Sequence, residues 1–190
     1  MTLYQILPFV RHLLSQHLLS GDTALDATAG KGHDTVFLAD LVKPKGRVHS
    51  FDVQEAAIEA TRKRAVDHEV LENIELHAVS HADMVRKLGP TELTKVRAAV
   101  FNLGYMPGSD KSIVTSSDST IAALKQLLAH TKKETLILIV VYHGHPEGAL
   151  ERDELLNYVE NLHQEEVHVA RYGYINQRNN PPFLLALQKR

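Results

Sequence analysis

Residues 23–39 read TALDATAGKGHDTVFLA. An apolar run leads to Asp26, two glycines follow at Gly30 and Gly32, and apolar residues then recur at helical spacing from Val36 onward. Glycine permits positive φ and a close approach of the backbone to a ligand, and the first turn of a helix presents N–H groups that lack intrahelical partners. The stretch therefore predicts a strand, a tight turn and a helix, with a loop that binds a nucleotide.

The loop differs from two known phosphate-binding patterns, and these differences indicate which nucleotide it binds. A dinucleotide fingerprint needs a third glycine where this chain has Thr35, and no G-x-x-x-x-G-K-[ST] pattern is present. Asp26 and Asp34 flank the loop and would repel a pyrophosphate. S-adenosylmethionine, which is cationic at its amino and sulfonium groups, suits this charge better, and a nicotinamide dehydrogenase is disfavoured.

A further acidic residue supports this interpretation. Asp52 ends the next apolar run, 20 residues after Gly32. At that distance a carboxylate at the end of a second strand can hold a ribose through its two hydroxyls. The alternative is that Asp52 only caps the helix expected to begin near Gln54.

Composition excludes several other classes of protein. Lys and Arg number 21 against 23 Asp and Glu, so any RNA partner must meet a local patch and not the field of the whole molecule. The absence of cysteine rules out disulfides, thiolate zinc sites and cysteine nucleophiles, and it suits a reducing cytoplasm. The N-terminal residues lack the features of a secretory signal, and the longest apolar run, Leu136–Val141, is too short to span a bilayer. We expect a soluble, cytoplasmic protein without a membrane partner.

The order of the apolar runs predicts one α/β domain over residues 1–190. Residues 1–20 show helical periodicity and are expected to pack on the sheet, and strand-like and helical runs then alternate. The last two strand-like runs, residues 167–175 and 183–187, are joined by a connection too short for a helical crossover. We therefore predict a mostly parallel seven-stranded sheet with a C-terminal antiparallel hairpin and helices on both faces, which is the Rossmann-like arrangement of class I methyltransferases.

A second motif follows the fourth predicted strand. Residues 101–112 read FNLGYMPGSDKS and place Asn102 at the carboxyl edge of the sheet, where open α/β sheets bind ligands. The segment from Asn102 to Tyr105 resembles a variant of the Asn/Asp-Pro-Pro-Tyr motif of amino-group methyltransferases, in which the polar side chain holds the amine and the aromatic ring stacks on the target. The alternative is a turn rich in glycine and proline that has no chemical role.

Three segments together carry a wider resemblance. DATAGKGHDT (26–35), NLGYMPGSDK (102–111) and YHGHPEG (142–148) are similar to those of the YtqB-like group of methyltransferases, and the similarity covers nearly the whole chain. That group was long labelled as rRNA methylases and is now associated with methylation of 5-aminomethyl-2-thiouridine in tRNA. The resemblance implies that the substrate is the anticodon region of tRNA, at wobble uridine 34, and that the products are the 5-methylaminomethyl base and S-adenosylhomocysteine.

The expected site residues fall into three groups. For cofactor contacts we expect Asp26, Thr28, Gly30, Lys31, Gly32, His33, Asp34, Thr35, Asp52, Gln54, Ser80, His81, Asn102 and Gly104. For substrate contacts we expect Tyr105, Met106, Pro107, Lys111, Tyr142, His145, Tyr172 and Arg178. The candidates for a direct part in catalysis are Asn102, Tyr105, Asp110 and His143.

The chemistry explains the catalytic group. Methyl transfer to an amine is an in-line displacement, so the main task is to align nitrogen, methyl carbon and sulfur. An alkylammonium must first lose a proton, and Asp110, His143 and His145 are all candidates to accept it. Asn102 would orient the nitrogen and Tyr105 would pack against the base.

Several alternatives stay open at this point. Histidine is frequent, 12 of 190 residues, but the pairs His143 with His145 and His77 with His81 lack a metal-binding helix motif, so no metal is predicted. The last hairpin mixes aromatic, cationic and amide groups, which suits either RNA contact or an exposed polar loop. An rRNA or small-amine methyltransferase and a non-catalytic nucleotide-binding module are the competing functions. A homodimer contact through the N-terminal helix or the hairpin edge is a further expectation.

Overall fold

The computed structural model describes residues 3–103, 117–144 and 146–190. Its strands are β1 (Thr23–Asp26), β2 (Arg47–Phe51), β3 (Ile74–His77), β4 (Val96–Asn102), β5 (Leu136–Val141), β6 (Val167–Tyr172) and β7 (Phe183–Lys189). Its helices are α1 (Ile6–His17), α2 (His33–Val42), α3 (Glu55–Asp67), α4 (Met84–Leu93), α5 (Ser117–His130) and α6 (Pro146–Glu160).

The strands form a seven-stranded sheet in the order β3-β2-β1-β4-β5-β7-β6. The pairings from β3 to β5 are parallel, whereas β7 runs antiparallel to both β5 and β6. The predicted fold class, a class I methyltransferase sheet that ends in an antiparallel hairpin, is therefore confirmed. The order reverses between β1 and β4, and in open α/β sheets such a reversal leaves a crevice at the carboxyl ends of the strands.

Two hydrophobic cores cover the two faces of the sheet. One packs α4, α5 and α6 against strand residues that include Phe51 and Phe101. The other packs α1, α2 and α3 against residues that include Val48 and Val140. Because both faces are covered, β5 is buried from Ile137 to Val141, which explains why its sequence is apolar throughout.

The predicted N-terminal helix is present as α1. It buries Ile6, Val10 and Leu14 in the second core, and Phe9 packs against Tyr172 of β6 at a ring distance of 4.4 Å. The helix thus packs on the sheet as expected. Within the described ranges, no helix combines the length and the apolar character needed to cross a membrane.

Candidate active site

The carboxyl ends of β1, β2, β4 and β5 bring together residues that are far apart in the sequence. The glycine loop (residues 27–32) follows β1, Asp52 follows β2, Asn102 ends β4 and Tyr142 follows β5. Hydrogen bonds from Gly30 to Asp52 and from Asn102 to Thr28 join the first three into one site. The strand order thus places the two sequence motifs side by side at the crevice between β1 and β4.

The glycine loop takes the conformation that its sequence predicts. Gly30 and Gly32 have φ of 54° and 77°, a region that L side chains rarely adopt. A Cβ on Gly32 would lie 2.9 Å from the Cα of Thr61 in α3, and Thr61 Oγ1 donates to the Gly30 carbonyl at 3.3 Å. Arg64 Nε donates to the Lys31 carbonyl at 2.6 Å. Side chains of α3 therefore hold the loop through the loop's own backbone carbonyls, while the Lys31 side chain is exposed.

Asp26 forms the buried centre of the turn. Its Oδ1 accepts from the Thr28 N–H at 3.0 Å and its Oδ2 accepts from Thr35 Oγ1 at 2.6 Å, and Ser50 Oγ donates to Thr35 Oγ1 at 2.9 Å. Burial, followed by the charge of Asp34, raises the pKa of Asp26 to about 7, although the Thr35 hydrogen bond opposes the change. Thr35, which replaces the third glycine of the dinucleotide pattern, thus has a structural partner that the sequence did not reveal.

Asp52 lies directly beside the glycine loop. Its Oδ2 accepts from the Gly30 N–H at 3.0 Å and its Oδ1 accepts from the Gln54 N–H at 2.9 Å. The carboxylate therefore supports both the loop and the residue that precedes α3. Because each carboxylate oxygen can accept a further hydrogen bond and the residue is partly exposed, Asp52 can also hold a pair of hydroxyls.

His81 supplies a buried acceptor beneath the loop. Its Nδ1 donates to the Ala27 carbonyl at 2.9 Å, its ring edge contacts Phe101, and Nε2 has no partner among the described residues. Burial lowers the pKa of His81, so the ring is neutral and Nε2 carries a lone pair. An unpaired buried acceptor is costly, and a ligand that brings an N–H or O–H donor would remove that cost. The preceding Ser80 accepts from the Ala82 N–H at 3.2 Å.

Asn102 is held from two sides. Its N–H donates to Thr28 Oγ1 at 2.8 Å, and its side-chain Nδ2 donates to Asp34 Oδ2 at 3.2 Å. The amide group is thereby oriented, and no donor to its oxygen is found among the described residues. Tyr142 follows β5, the neighbour of β4 in the sheet, and burial and then the Asp34 charge raise the pKa of its hydroxyl.

The other predicted residues have different surroundings. The His143 ring is buried, with Nδ1 3.4 Å from Arg152 Nη1 and the ring centre 5.4 Å from that of Phe183. Burial, followed by the charge of Arg152, lowers its pKa. Tyr172 donates its hydroxyl to the Tyr4 carbonyl at 2.6 Å, and Arg178 is exposed in the connection between β6 and β7.

His33 and Gln54 lie at the starts of α2 and α3. His33 is exposed, and partial burial followed by the charge of Arg64 lowers its pKa. Several predicted residues lie outside the described ranges, and their roles stay predictions: Gly104, Tyr105, Met106, Pro107, Asp110, Lys111 and His145.

Comparisons with known proteins identify the family. A model of the family described as "Putative rRNA methylase" matches residues 48–188. The chain is 35% identical to the "tRNA (mnm(5)s(2)U34)-methyltransferase, chloroplastic" of Arabidopsis thaliana, over 95% of this chain and 68% of that protein. It is 34% identical to two proteins of known structure, with all of each chain covered. One is a "putative rRNA-methylase" from Clostridium thermocellum (TM-score 0.95) and the other is a "putative methyltransferase" from Streptococcus mutans solved with S-adenosylhomocysteine (TM-score 0.89).

Proposed function

The chain belongs to the "Putative rRNA methylase" family and is an S-adenosylmethionine-dependent methyltransferase, and we propose that it methylates the amino nitrogen of a 5-aminomethyl group on wobble uridine 34 of tRNA. The observation that carries the proposal is the 35% identity, over 95% of the chain, to a relative named for that base. The position of Asn102 at the carboxyl edge supports an amine as the methyl acceptor. The product of the reaction would be the 5-methylaminomethyl form of that base.

The described residues fit the cofactor. The Gly30 backbone leaves room for a close approach, because a Cβ there would meet the Thr28 carbonyl oxygen only at 3.8 Å. Asp52 offers carboxylate oxygens to hydroxyls, and His81 Nε2 is a buried acceptor without a partner among the described residues. The acidic groups Asp34 and Asp52 together favour a cationic ligand over a pyrophosphate. When bound, S-adenosylmethionine supplies a methyl group on a positively charged sulfur.

Asn102 is proposed to orient the acceptor amine. Because Nδ2 donates to Asp34 and no described residue donates to the amide oxygen, that oxygen can accept from an amine N–H. The backbone of Asn102 is fixed by Thr28 at the same time. Such fixed positioning is the main contribution that a protein can make to an in-line displacement.

Asp34 is proposed to stabilise the positive charge that develops on the acceptor nitrogen. As the methyl group is transferred, positive charge develops on the amine nitrogen, and a fixed carboxylate nearby stabilises it. The amine must lose a proton before it attacks, and we keep Asp110, His143 and His145 as the candidate acceptors. Of these, the structure describes His143, whose lowered pKa keeps it neutral as an acceptor must be, with one ring nitrogen beside Arg152.

The tRNA would approach from the same edge of the sheet. The connection between β6 and β7 (residues 173–182) reaches that edge, and residues 175–180, Arg178 among them, are exposed. A base methylated on its 5-substituent must leave its stack to enter the crevice, as in other enzymes that modify bases. The expected cytoplasmic location and the homodimer contact stay predictions, and the Arabidopsis relative is described as chloroplastic.

One alternative substrate is favoured by a specific observation. The matching family and the Clostridium thermocellum protein are both described by the term rRNA methylase. An rRNA amine or base would use the same cofactor site, and the two substrates differ in which RNA carries the label after reaction.

The deciding experiment is nucleoside mass spectrometry. tRNA that bears 5-aminomethyl-2-thiouridine is incubated with the protein and methyl-labelled S-adenosylmethionine, beside rRNA and beside tRNA lacking the aminomethyl group. We expect label in 5-methylaminomethyl-2-thiouridine and in neither control. Label in rRNA alone, or cofactor binding without label in that nucleoside, would reject the tRNA proposal while leaving the methyltransferase assignment intact.

A further inference from the structure

A cluster of possible metal ligands lies on β2 and β3, away from the crevice between β1 and β4. The two strands pair in parallel, with His49 opposite Glu75 and Phe51 opposite His77. His49 and His77 are therefore on the same face, two residues apart along the strands. His49 is 2% exposed and His77 is 6% exposed, whereas the Glu75 side chain is 48% exposed.

The ligand atoms of this cluster converge. His49 Nδ1 lies 3.3 Å from His77 Nε2 and 3.5 Å from Glu75 Oε2, and all three atoms lie within 4.8 Å of one another. Zn²⁺ binds imidazole nitrogen at about 2.0–2.1 Å, so two ligands of a tetrahedral site are roughly 3.3–3.4 Å apart. The two measured separations therefore match the edges of such a site, and the half-exposed Glu75 side chain can rotate to shorten the third.

A second carboxylate supports the buried histidine. His49 Nε2 has no hydrogen-bond partner among the described residues, and Glu92 Oε1 of α4 lies 3.5 Å from it. If Nδ1 binds a metal, the proton of the neutral ring stays on Nε2 and faces Glu92. This carboxylate–histidine–metal arrangement orients the ligand and makes it a stronger base.

The surroundings leave one position open. Glu75 Oε1 faces Arg47 at 3.7 Å, which leaves Oε2 for the metal. The cluster lines a groove of about 950 Å³ whose walls also carry Lys87 and Lys95. The positive charges of these lysines oppose the binding of a further cation in the groove. They also favour a water or a small anion as the fourth ligand.

We propose that His49 Nδ1, His77 Nε2 and Glu75 Oε2 bind one Zn²⁺ ion, with Glu92 as the outer partner of His49 and the fourth position open to the groove. The site is separate from the methyl-transfer site and does not depend on the RNA substrate. The role assigned to the ion is to tie β3, the strand at the edge of the sheet, to β2.

The test uses the full chain, freed of metal with a chelator and then titrated with Zn²⁺ against a chromophoric competitor. We expect one equivalent to bind and to raise the melting temperature, and Co²⁺ in its place to give the strong visible absorption of a tetrahedral complex. Glu75→Gln and His77→Gln should each weaken Zn²⁺ binding more than tenfold, and Glu92→Gln about tenfold. The exposed His163→Ala serves as the matched control and should bind like the parent chain.

Folding of each variant is checked by circular dichroism and by its affinity for S-adenosylhomocysteine, which the proposal expects to be unchanged. Glu75→Gln is the decisive variant because its side chain is half exposed and its loss leaves the core intact. Binding that does not saturate at one equivalent, or Glu75→Gln and His77→Gln variants that bind Zn²⁺ as tightly as the parent, would overturn the proposal.

Discussion

The glycine loop after β1 and the connection between β6 and β7 reach the same edge of the sheet, but they are held in different ways. The glycine loop is fixed by Asp26, Asp52 and Thr61 through hydrogen bonds and close packing. In the β6–β7 connection, residues 175–180 are exposed, and Ile175 is fully so. This difference fits a cofactor side that is formed in advance, and under the proposed function the exposed connection is the side that contacts RNA. Changes to the first should therefore alter stability and cofactor affinity, and changes to the second should alter RNA binding alone.

The largest effect should come from Gly32→Ala. The new Cβ would lie 2.9 Å from the Cα of Thr61, a backbone atom that cannot move aside alone, and φ is 77°. We expect a loss of about 2–4 kcal/mol in the free energy of unfolding and loss of measurable cofactor binding. Gly21→Ala is the matched control because its φ is also positive, at 96°, and no described atom lies within 4 Å of its Cβ position, so it should cost about 1 kcal/mol. Equal losses in urea unfolding for the two variants would mean that the packing against α3 is unimportant.

Next in size is Asn102→Ala. Removing the oriented amide should lower turnover about 100-fold while calorimetry shows little change in S-adenosylmethionine affinity. The exposed Asn157→Ala on α6 is the control and should leave both values unchanged. A parallel fall in turnover and cofactor affinity would place Asn102 on the cofactor side of the comparison.

Asp52→Ala should instead weaken cofactor binding more than it lowers turnover. The loss of hydrogen bonds that the cofactor hydroxyls donate to this carboxylate costs about 1.5–3 kcal/mol, which corresponds to a roughly ten- to hundredfold weaker affinity for the cofactor. Glu55→Ala, an exposed carboxylate three residues later, is expected to bind S-adenosylhomocysteine normally. If calorimetry finds the same affinity for Asp52→Ala as for the parent, the proposed ribose contact is wrong.

A pH effect should be specific to the fixed region. The folded pKa of Asp26 is raised from 3.8 to about 7, so the folded state binds the proton more tightly than the unfolded state does. This contribution to stability is complete below about pH 4 and is lost as the pH rises towards 7, with a slope of at most about 1.4 kcal/mol per pH unit. Asp26→Asn, which cannot titrate, should lack this component in urea unfolding across that range. The same pH slope in both proteins would show that the Asp26 carboxyl is ionised in the fold.

The smallest effect is expected in the β6–β7 connection. Arg178→Ala should raise the KM for tRNA a few-fold, with turnover and cofactor affinity unchanged. It should also reduce by about one the slope of the logarithm of the RNA-binding constant against the logarithm of the salt concentration. The exposed Arg86→Ala on α4 is the control. A changed cofactor affinity in Arg178→Ala would contradict the division between the two regions.

The sequence predicted the fold and the residues at the ends of its strands. Asp52 and Asn102 were identifiable because buried parallel strands are apolar throughout and polar residues mark where they end. The cofactor followed from the glycine loop and Asp52, and the family followed from the three segments 26–35, 102–111 and 142–148; both are confirmed by the comparisons. The individual site roles stay predictions.

Contacts between distant elements were not predictable. Nothing in the sequence distinguishes Thr61 from other helix residues, and its contact with Gly32 exists only because α3 packs there. Likewise, nothing near Thr35 indicates its hydrogen bond to Asp26. His49 and His77 are 28 residues apart and meet only because β2 and β3 pair in one particular register. A one-residue change of register would put them on opposite faces, and local sequence carries no signal for that choice.

The position of β7 has a consequence for synthesis on the ribosome. This strand comes after β6 in the chain, yet it lies between β5 and β6 in the sheet. A nascent chain that ends before residue 183 thus has an open backbone edge on β5 and a β6 segment with no neighbour, and both are templates for aggregation. Release of residues 183–189 from the exit tunnel closes both gaps in one step, so acquisition of the native state is tied to the end of translation of this segment.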